Sequence, residues 1–190
     1  MEPIELETKR LILRDHVIED LETHHELFSD TQTMYYLQDL MTHSMEESHK
    51  NLMLAMNEVY NPERTMYFLR MEEKETKEHI GEVGYTVKSF TPVGKIVHLG
   101  YFIRKKYWNQ GYTTEAVKEM LRYAFVENEV VVVQTGCISD NVSSWYVMEK
   151  CGMVREAEHK CNEWHENRLK DRFEYRMLKE EWLHKMNVRT

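Results

Sequence analysis

The chain has 190 residues, 42% of them hydrophobic and 31% charged, with a formal net charge of −8. That length suits one domain over 1–190, and no apolar run approaches the ~20 residues a bilayer crossing takes, so neither a disordered chain nor a membrane protein is expected. The acidic balance argues against direct nucleic-acid binding, and three cysteines (Cys137, Cys151, Cys161) with no CxxC pair point to reduced thiols and a cytoplasmic setting.

The N-terminal MEPIELETKRL is too charged for a secretory signal peptide. Lys9–His16 reads as a strand, because Leu11 and Leu13 alternate with Ile12 and Arg14. Val17 to Phe28 reads as a helix whose face carries Val17, Leu21, His25 and Phe28, and Thr31 to Leu37 as a second short helix after the SDT break. Ser44 to Tyr60 is a longer helix: Ser44 and Glu47 form a capping-box pattern, and Leu52, Met53, Met56 and Tyr60 make its apolar stripe.

Three strands are expected next: TMYFLRM, then HIGEVGYTVKSF and KIVHLGYFIRK joined through TPVG. Tyr112 to Phe125 is a helix that buries Ala116, Val117, Met120, Leu121 and Ala124. Val130–Ile138 is a continuous apolar run of the kind found in a strand covered on both faces. A further helix starts at the N-cap Asn141 and stops at Gly152, before two closing strands that turn at His165–Asn167. The pattern is α/β (α+β): a mixed, mostly antiparallel twisted sheet with helices on both faces.

The stretch YWNQGYTTEAV (Tyr107–Val117) passes from bulky aromatics through Gly111 directly into a helical pattern. A helix N-terminus offers N–H groups without intrahelical partners and a partial positive charge, so this turn suits a pyrophosphate, with Arg104, Lys105 and Lys106 just upstream. A plain strand-to-helix connection accounts for the eleven residues equally well. The stretch is neither GxGxxG nor GxxxxGK[ST], which speaks against dinucleotides and ATP.

Four stretches in order resemble the GNAT acetyltransferase superfamily, and within it the ribosomal-protein N-terminal acetyltransferase (RimJ/RimL-like) branch. They are ETKRLILRDHVIEDLE, HIGEVGY, HLGYFIRKKYWNQGYTTEAV and DNVSSWYVMEKCGM, with HENRLKDRFEYRM, carrying Asp171 and Tyr175, as a weaker fifth. The resemblance implies acetyl-CoA as cosubstrate, held by the loop Trp108, Asn109, Gln110, Gly111, Tyr112 and Thr113 and by Asn141. Asn109 and Thr113 stand where small residues are usual, and Asn tolerates the left-handed backbone such a loop needs. A backbone N–H among Tyr101, Phe102 and Ile103 is implied as the oxyanion donor.

Acetyl transfer to an amine needs a base, and His98 and Glu82 are the candidates. His98 takes the place of a glutamate common in the branch, and an imidazole near pKa ~6.5 is mostly neutral at pH 7. An outward strand histidine and a solvated strand glutamate are the plain alternatives for the two. The tyrosine that often protonates the leaving thiolate falls here on Met148, which has no proton to give, so Ser144 on the same helical face is the candidate acid, with a capping hydroxyl as its alternative. Cys151, His159, Cys161 and His165 match no zinc spacing, and no metal is expected. The resemblance thus implies an N-acetyltransferase acting on a primary amine, either a protein N-terminus or a small molecule such as a polyamine or aminoglycoside, and it is compatible with a homodimer. A CoA-binding module with little catalysis and a nucleotide-binding regulatory domain are the alternatives from other classes.

Overall fold

In the computed structural model, which describes residues 2–187, strands and helices alternate as β1 (Glu5–Glu7), β2 (Leu11–Arg14), α1 (Leu21–Phe28), α2 (Met45–Val59), β3 (Met66–Glu73), β4 (His79–Thr91), β5 (Gly94–Ile103), α3 (Tyr112–Val126), β6 (Val130–Ile138), α4 (Val142–Lys150), β7 (Val154–His165), β8 (Arg168–Leu178) and α5 (Lys179–Asn187). The fold class is the expected one: a mixed, mostly antiparallel twisted sheet with helices on both faces. The chain forms two compact units, and β4, β5 and α3 each contribute residues to both.

The first unit takes the chain up to Thr86 together with Gly100–Glu119. Its strands run β1-β2-β3-β4, each antiparallel to the next, with the end of β5 following β4. Leu11 and Leu13 are fully buried while Ile12 and Arg14 are not, the alternation a strand with one covered face requires. Gly84 stands where a Cβ would lie 2.0 Å from the Tyr67 carbonyl oxygen on β3, so only glycine fits that register. Loop and strand are tied by a buried bidentate pair: Arg64 Nη1 and Nη2 donate to Asp15 at 3.0 and 2.5 Å, and the Ile4 N–H donates to the same carboxylate at 2.7 Å.

Three expectations change here. The segment Val17–Phe28 divides into a 3-10 turn at Ile18–Asp20 and α1, and α1 buries His24, Leu27 and Phe28 rather than the face through Val17 and Leu21. Thr31–Leu37 is not a helix. The Asp30 carboxylate accepts from the N–H groups of Gln32 and Thr33 at 3.2 Å each, which holds the chain in successive turns. In α2 the buried side is Ser48, Leu52 and Val59, leaving Tyr60 71% exposed. The expected cap is present: Ser44 Oγ accepts from Glu47 N at 3.2 Å, although Glu47 reaches back to the His43 N–H at 2.7 Å rather than to Ser44.

The second unit takes Val87–Leu99 and the chain from Met120 onward. Its strand order is β5-β6-β8-β7, with β5 and β6 parallel and the other pairs antiparallel. On β6 burial alternates through Val133, Thr135 and Cys137 while Gln134 is exposed, so this strand is less evenly covered than its apolar run implies. Glu166 and Asn167, at φ of 50° and 59°, make the tight turn of the β7–β8 hairpin. The chain closes with α5, which the sequence reading did not anticipate, and Trp182 on it lies 5.7 Å from the Phe125 ring.

Candidate active site

In the first unit the glycine-bearing loop has the geometry its sequence suggests. Asn109 and Gly111 adopt φ of 58° and 81°, and these two left-handed residues bring the chain round so that α3 starts at once at Tyr112. A Cβ on Gly111 would meet Arg10 Nη2 at 3.5 Å, an ordinary contact, so glycine serves the backbone conformation there rather than space. Trp108, Asn109, Gln110 and Gly111 are exposed and Tyr112 and Thr113 half-buried. Trp108 Nε1 donates to the Ile103 carbonyl at 2.9 Å and Gln110 Nε2 to that of Lys106 at 2.8 Å. The N-terminal amides of α3 therefore open onto an exposed loop braced from behind, the arrangement a pyrophosphate needs.

The brace comes from residues that sequence reasoning passed over. Arg10 Nη1 donates to the Gln110 carbonyl at 3.0 Å, its guanidinium lies 4.0 Å from the Tyr112 ring centroid, and its Nε pairs with Glu115 at 2.8 Å. Glu115, in the first turn of α3, also accepts from Thr8 Oγ1 at 2.6 Å and Arg10 N at 2.8 Å. Burial works to raise the Glu115 carboxyl, but these hydrogen bonds outweigh it and hold it below its usual value. Of the three upstream cations, Arg104 is turned to the His79 and Thr23 carbonyls and Glu26, and Lys106 to Glu78 at 2.6 Å; Lys105 stands exposed near the Trp108 ring. Of the implied oxyanion segment, Ile103 is buried, Tyr101 half-buried, and Phe102 sets its ring edge-on to Phe28 at 5.2 Å.

Glu82, the other first-unit candidate, is buried among three histidines. Its Oε1 lies 3.1 Å from His16 Nε2, 3.2 Å from His24 Nδ1 and 3.7 Å from His79 Nε2. Burial alone would raise this carboxyl, but His16 and His24 overcome it and hold it well below the ordinary carboxylate range. The same proximity to Glu82 and Asp20 overcomes burial at His16 and lifts that imidazole to about 9, whereas burial drives His79 down and keeps it neutral. Nothing in the spacing of residues 16, 24, 79 and 82 announces this cluster; the one legible sign is His24, three and four residues before Leu27 and Phe28 on a helix.

The second unit holds His98, Asn141 and Ser144. His98, half-buried on β5, lies opposite Gln134 of β6. Burial and the Arg172 guanidinium push its imidazole below 6.5, with Glu174 acting the other way. Asn141 caps α4, its Oδ1 accepting from Ser144 N at 3.2 Å. The Ser144 hydroxyl bonds the buried Cys137 thiol, which burial pushes up to about 11. Met148 is buried. Tyr175 is buried with its hydroxyl bonded to Arg155 at 2.9 Å and Glu149 at 3.0 Å, and Asp171 accepts from Cys161 N at 3.0 Å. Among the described residues, His16, His24 and Glu82 form the one group of three or more side chains with metal-ligand geometry, and Cys151, His159, Cys161 and His165 form none. No helix among them is long and apolar enough to cross a membrane.

Residues 10–154 match the family model for the acetyltransferase (GNAT) domain. The chain is 30% identical over 189 residues to the uncharacterized N-acetyltransferase YnaD of Bacillus subtilis, covering 92% of this chain and 97% of that one. Among solved structures, the ribosomal-protein-S5-alanine acetyltransferase from Vibrio fischeri superposes with a TM-score of 0.80 at 18% identity, over 94% of this chain and 98% of that one. The spermidine N-acetyltransferase from Vibrio cholerae, solved with CoA and spermine, does so at 0.78 and 18%, over 93% and 99%. At that identity the two structures speak for the fold alone.

Proposed function

Since the chain belongs to the GNAT family of acetyltransferases, we propose that it transfers an acetyl group from acetyl-CoA directly to a primary amine, and that this amine is a protein N-terminal α-amine, as in the RimJ/RimL-like branch. The observation that carries the reading is the loop: left-handed Asn109 and Gly111 deliver the chain into the N-terminus of α3, braced by Arg10. Acetyl-CoA supplies an activated thioester. Trp108 to Thr113 hold its pyrophosphate through backbone amides, with the Thr113 hydroxyl as a further donor, and Asn141 is a further cofactor contact.

His98 accepts the proton the amine loses as its nitrogen bonds to the acetyl carbon. A backbone N–H among Tyr101, Phe102 and Ile103 stabilises the oxygen as negative charge develops there. Ser144 or water returns a proton to the departing sulfur, a light task because a thiol of pKa ~8.5 is mostly protonated at pH 7. Glu82 is the weaker choice of base, since its neighbours favour the ionised form so strongly that it holds a proton poorly.

The strength of that base supports an α-amine as the acceptor. Deprotonating an α-amine of pKa ~8 at pH 7 costs about 1.4 kcal/mol, whereas a lysine-like amine near ~10.4 costs about 4.6 kcal/mol. A histidine pushed below 6.5 suits the first task and not the second. The test is thiol release from acetyl-CoA with short peptides, the same peptides blocked at the N-terminus, and polyamines. Turnover that vanishes on blocking is expected. Turnover with polyamines alone would move the acceptor to small amines, and cofactor binding without turnover would leave a CoA-binding module.

A further inference from the structure

The cluster around Glu82 takes no part in the transfer steps proposed above, in which His98 is the base. His16 follows β2, His24 lies on α1, and His79 and Glu82 lie on β4; each is at most 4% exposed. His16 Nδ1 and Nε2, His24 Nδ1, both nitrogens of His79 and Glu82 Oε1 make no hydrogen bond of acceptable geometry. Buried polar atoms without partners are rare because each loses its hydration with nothing in return.

His24 Nε2 lies 2.9 Å from Asn51 Oδ1, which turns the other ring nitrogen, Nδ1, toward the Glu82 oxygen 3.2 Å away. His16 Nε2 faces the same oxygen at 3.1 Å, so two imidazole nitrogens and one carboxylate oxygen meet in the interior within 4.8 Å of one another. A divalent ion among them would give each of these atoms a partner.

We propose that His16, His24 and Glu82 bind a divalent transition metal of the zinc class, through two imidazole nitrogens and one carboxylate oxygen, with His79 beside them. The spacing fits. In a tetrahedral site with bonds of about 2.0–2.1 Å, neighbouring donor atoms stand about 3.3–3.4 Å apart. His16 Nε2 and His24 Nδ1 stand 3.1 and 3.2 Å from Glu82 Oε1, and the ligand atoms of the three residues all lie within 4.8 Å of one another. Borderline nitrogen and oxygen donors select zinc-like ions over magnesium or calcium.

The outer contacts match as well. Asn51 fixes the His24 tautomer with Nδ1 facing inward, and Asp20 lies 3.6 Å from His16 Nδ1, where a small rotation makes the carboxylate–histidine hydrogen bond typical of metal sites. Three protein ligands, from the segment after β2, from α1 and from β4, leave a fourth position for water or another small ligand, and the ion clips these parts of the first unit together.

The experiment uses the full chain without a histidine tag, stripped with a chelator and desalted. Zn²⁺ should return in one equivalent by elemental analysis and, at a hundredfold excess over its dissociation constant, raise Tm by about 5–10 °C. Co²⁺ should give the visible ligand-field bands of a four-coordinate nitrogen–oxygen site. E82Q and H24Q should lose the equivalent, while H159Q, an exposed histidine outside the cluster, should keep it. If either cluster variant does not fold, H16Q replaces it, and its Co²⁺ spectrum should be weakened or lost. A stripped wild type that takes up no metal overturns the proposal, as does uptake that persists unchanged in the folded cluster variants.

Discussion

Removing the Arg10 side chain takes away a hydrogen bond to the Gln110 carbonyl, a cation–π contact with Tyr112 and an ion pair with Glu115, all at the loop read as the pyrophosphate cradle. R10A should therefore lower acetyl-CoA affinity about tenfold, equivalent to about 1.4 kcal/mol, by titration calorimetry, with the far-UV circular dichroism spectrum unchanged. At His98 the expectation concerns pH. Its folded pKa lies below 6.5, so the neutral, proton-accepting form persists as pH falls past that value and is lost only at lower pH. Wild-type kcat/KM should show an acid limb from His98 below 6.5, in addition to that of the amine. H98Q should lose that limb along with about a hundredfold in kcat/KM. An unchanged profile in H98Q would remove His98 as base. Much of this was legible in the sequence: Gly111 announced its turn, and Asn109 is a residue that adopts the left-handed conformation it proves to hold. Arg10 was not, because a hundred residues of chain separate it from the carbonyl it holds.

At the scale of elements, periodic apolar patterns located α3 well: Ala116, Val117, Met120, Leu121 and Ala124 are all buried as expected. The same rule misplaced the face of α1, because what lies under that helix is partly polar. Asp20 and His24 are buried there beside Leu27 and Phe28, and a stripe drawn through apolar residues alone passes them by. Short elements were missed for another reason. β1 has three residues and α5 is strongly charged, so neither carries a pattern that distinguishes it from a loop. The glycines of β4 give the sharpest element-scale prediction. A methyl at Gly84 would stand 2.0 Å from a backbone oxygen of β3, and backbone does not yield as a side-chain tip does. G84A should destabilise the protein by about 3 kcal/mol or more, read as a lower urea midpoint at unchanged slope.

Taken whole, the molecule shows a fold that its sequence order disclosed and a buried histidine–glutamate cluster that it did not. The resemblance to acetyltransferases rests on stretches that each keep their own local geometry, so it is readable in one dimension. The cluster draws on His16 after β2, His24 of α1, and His79 and Glu82 of β4, and only the folded chain brings them together. The proposed function depends on whether the exposed loop at the start of α3 binds the pyrophosphate of acetyl-CoA. The measurement that tests it most directly is thermal unfolding of the full chain with acetyl-CoA, CoA or ATP, each at a hundredfold excess over the dissociation constant found for acetyl-CoA, or at millimolar concentration where no binding is found. A rise of about 5–10 °C is expected with acetyl-CoA and CoA and none with ATP, and a smaller rise for R10A at the same concentrations. A Tm unmoved by either acetyl-CoA or CoA would contradict it, and the roles proposed for His98, Asn141 and Ser144 would fall with it.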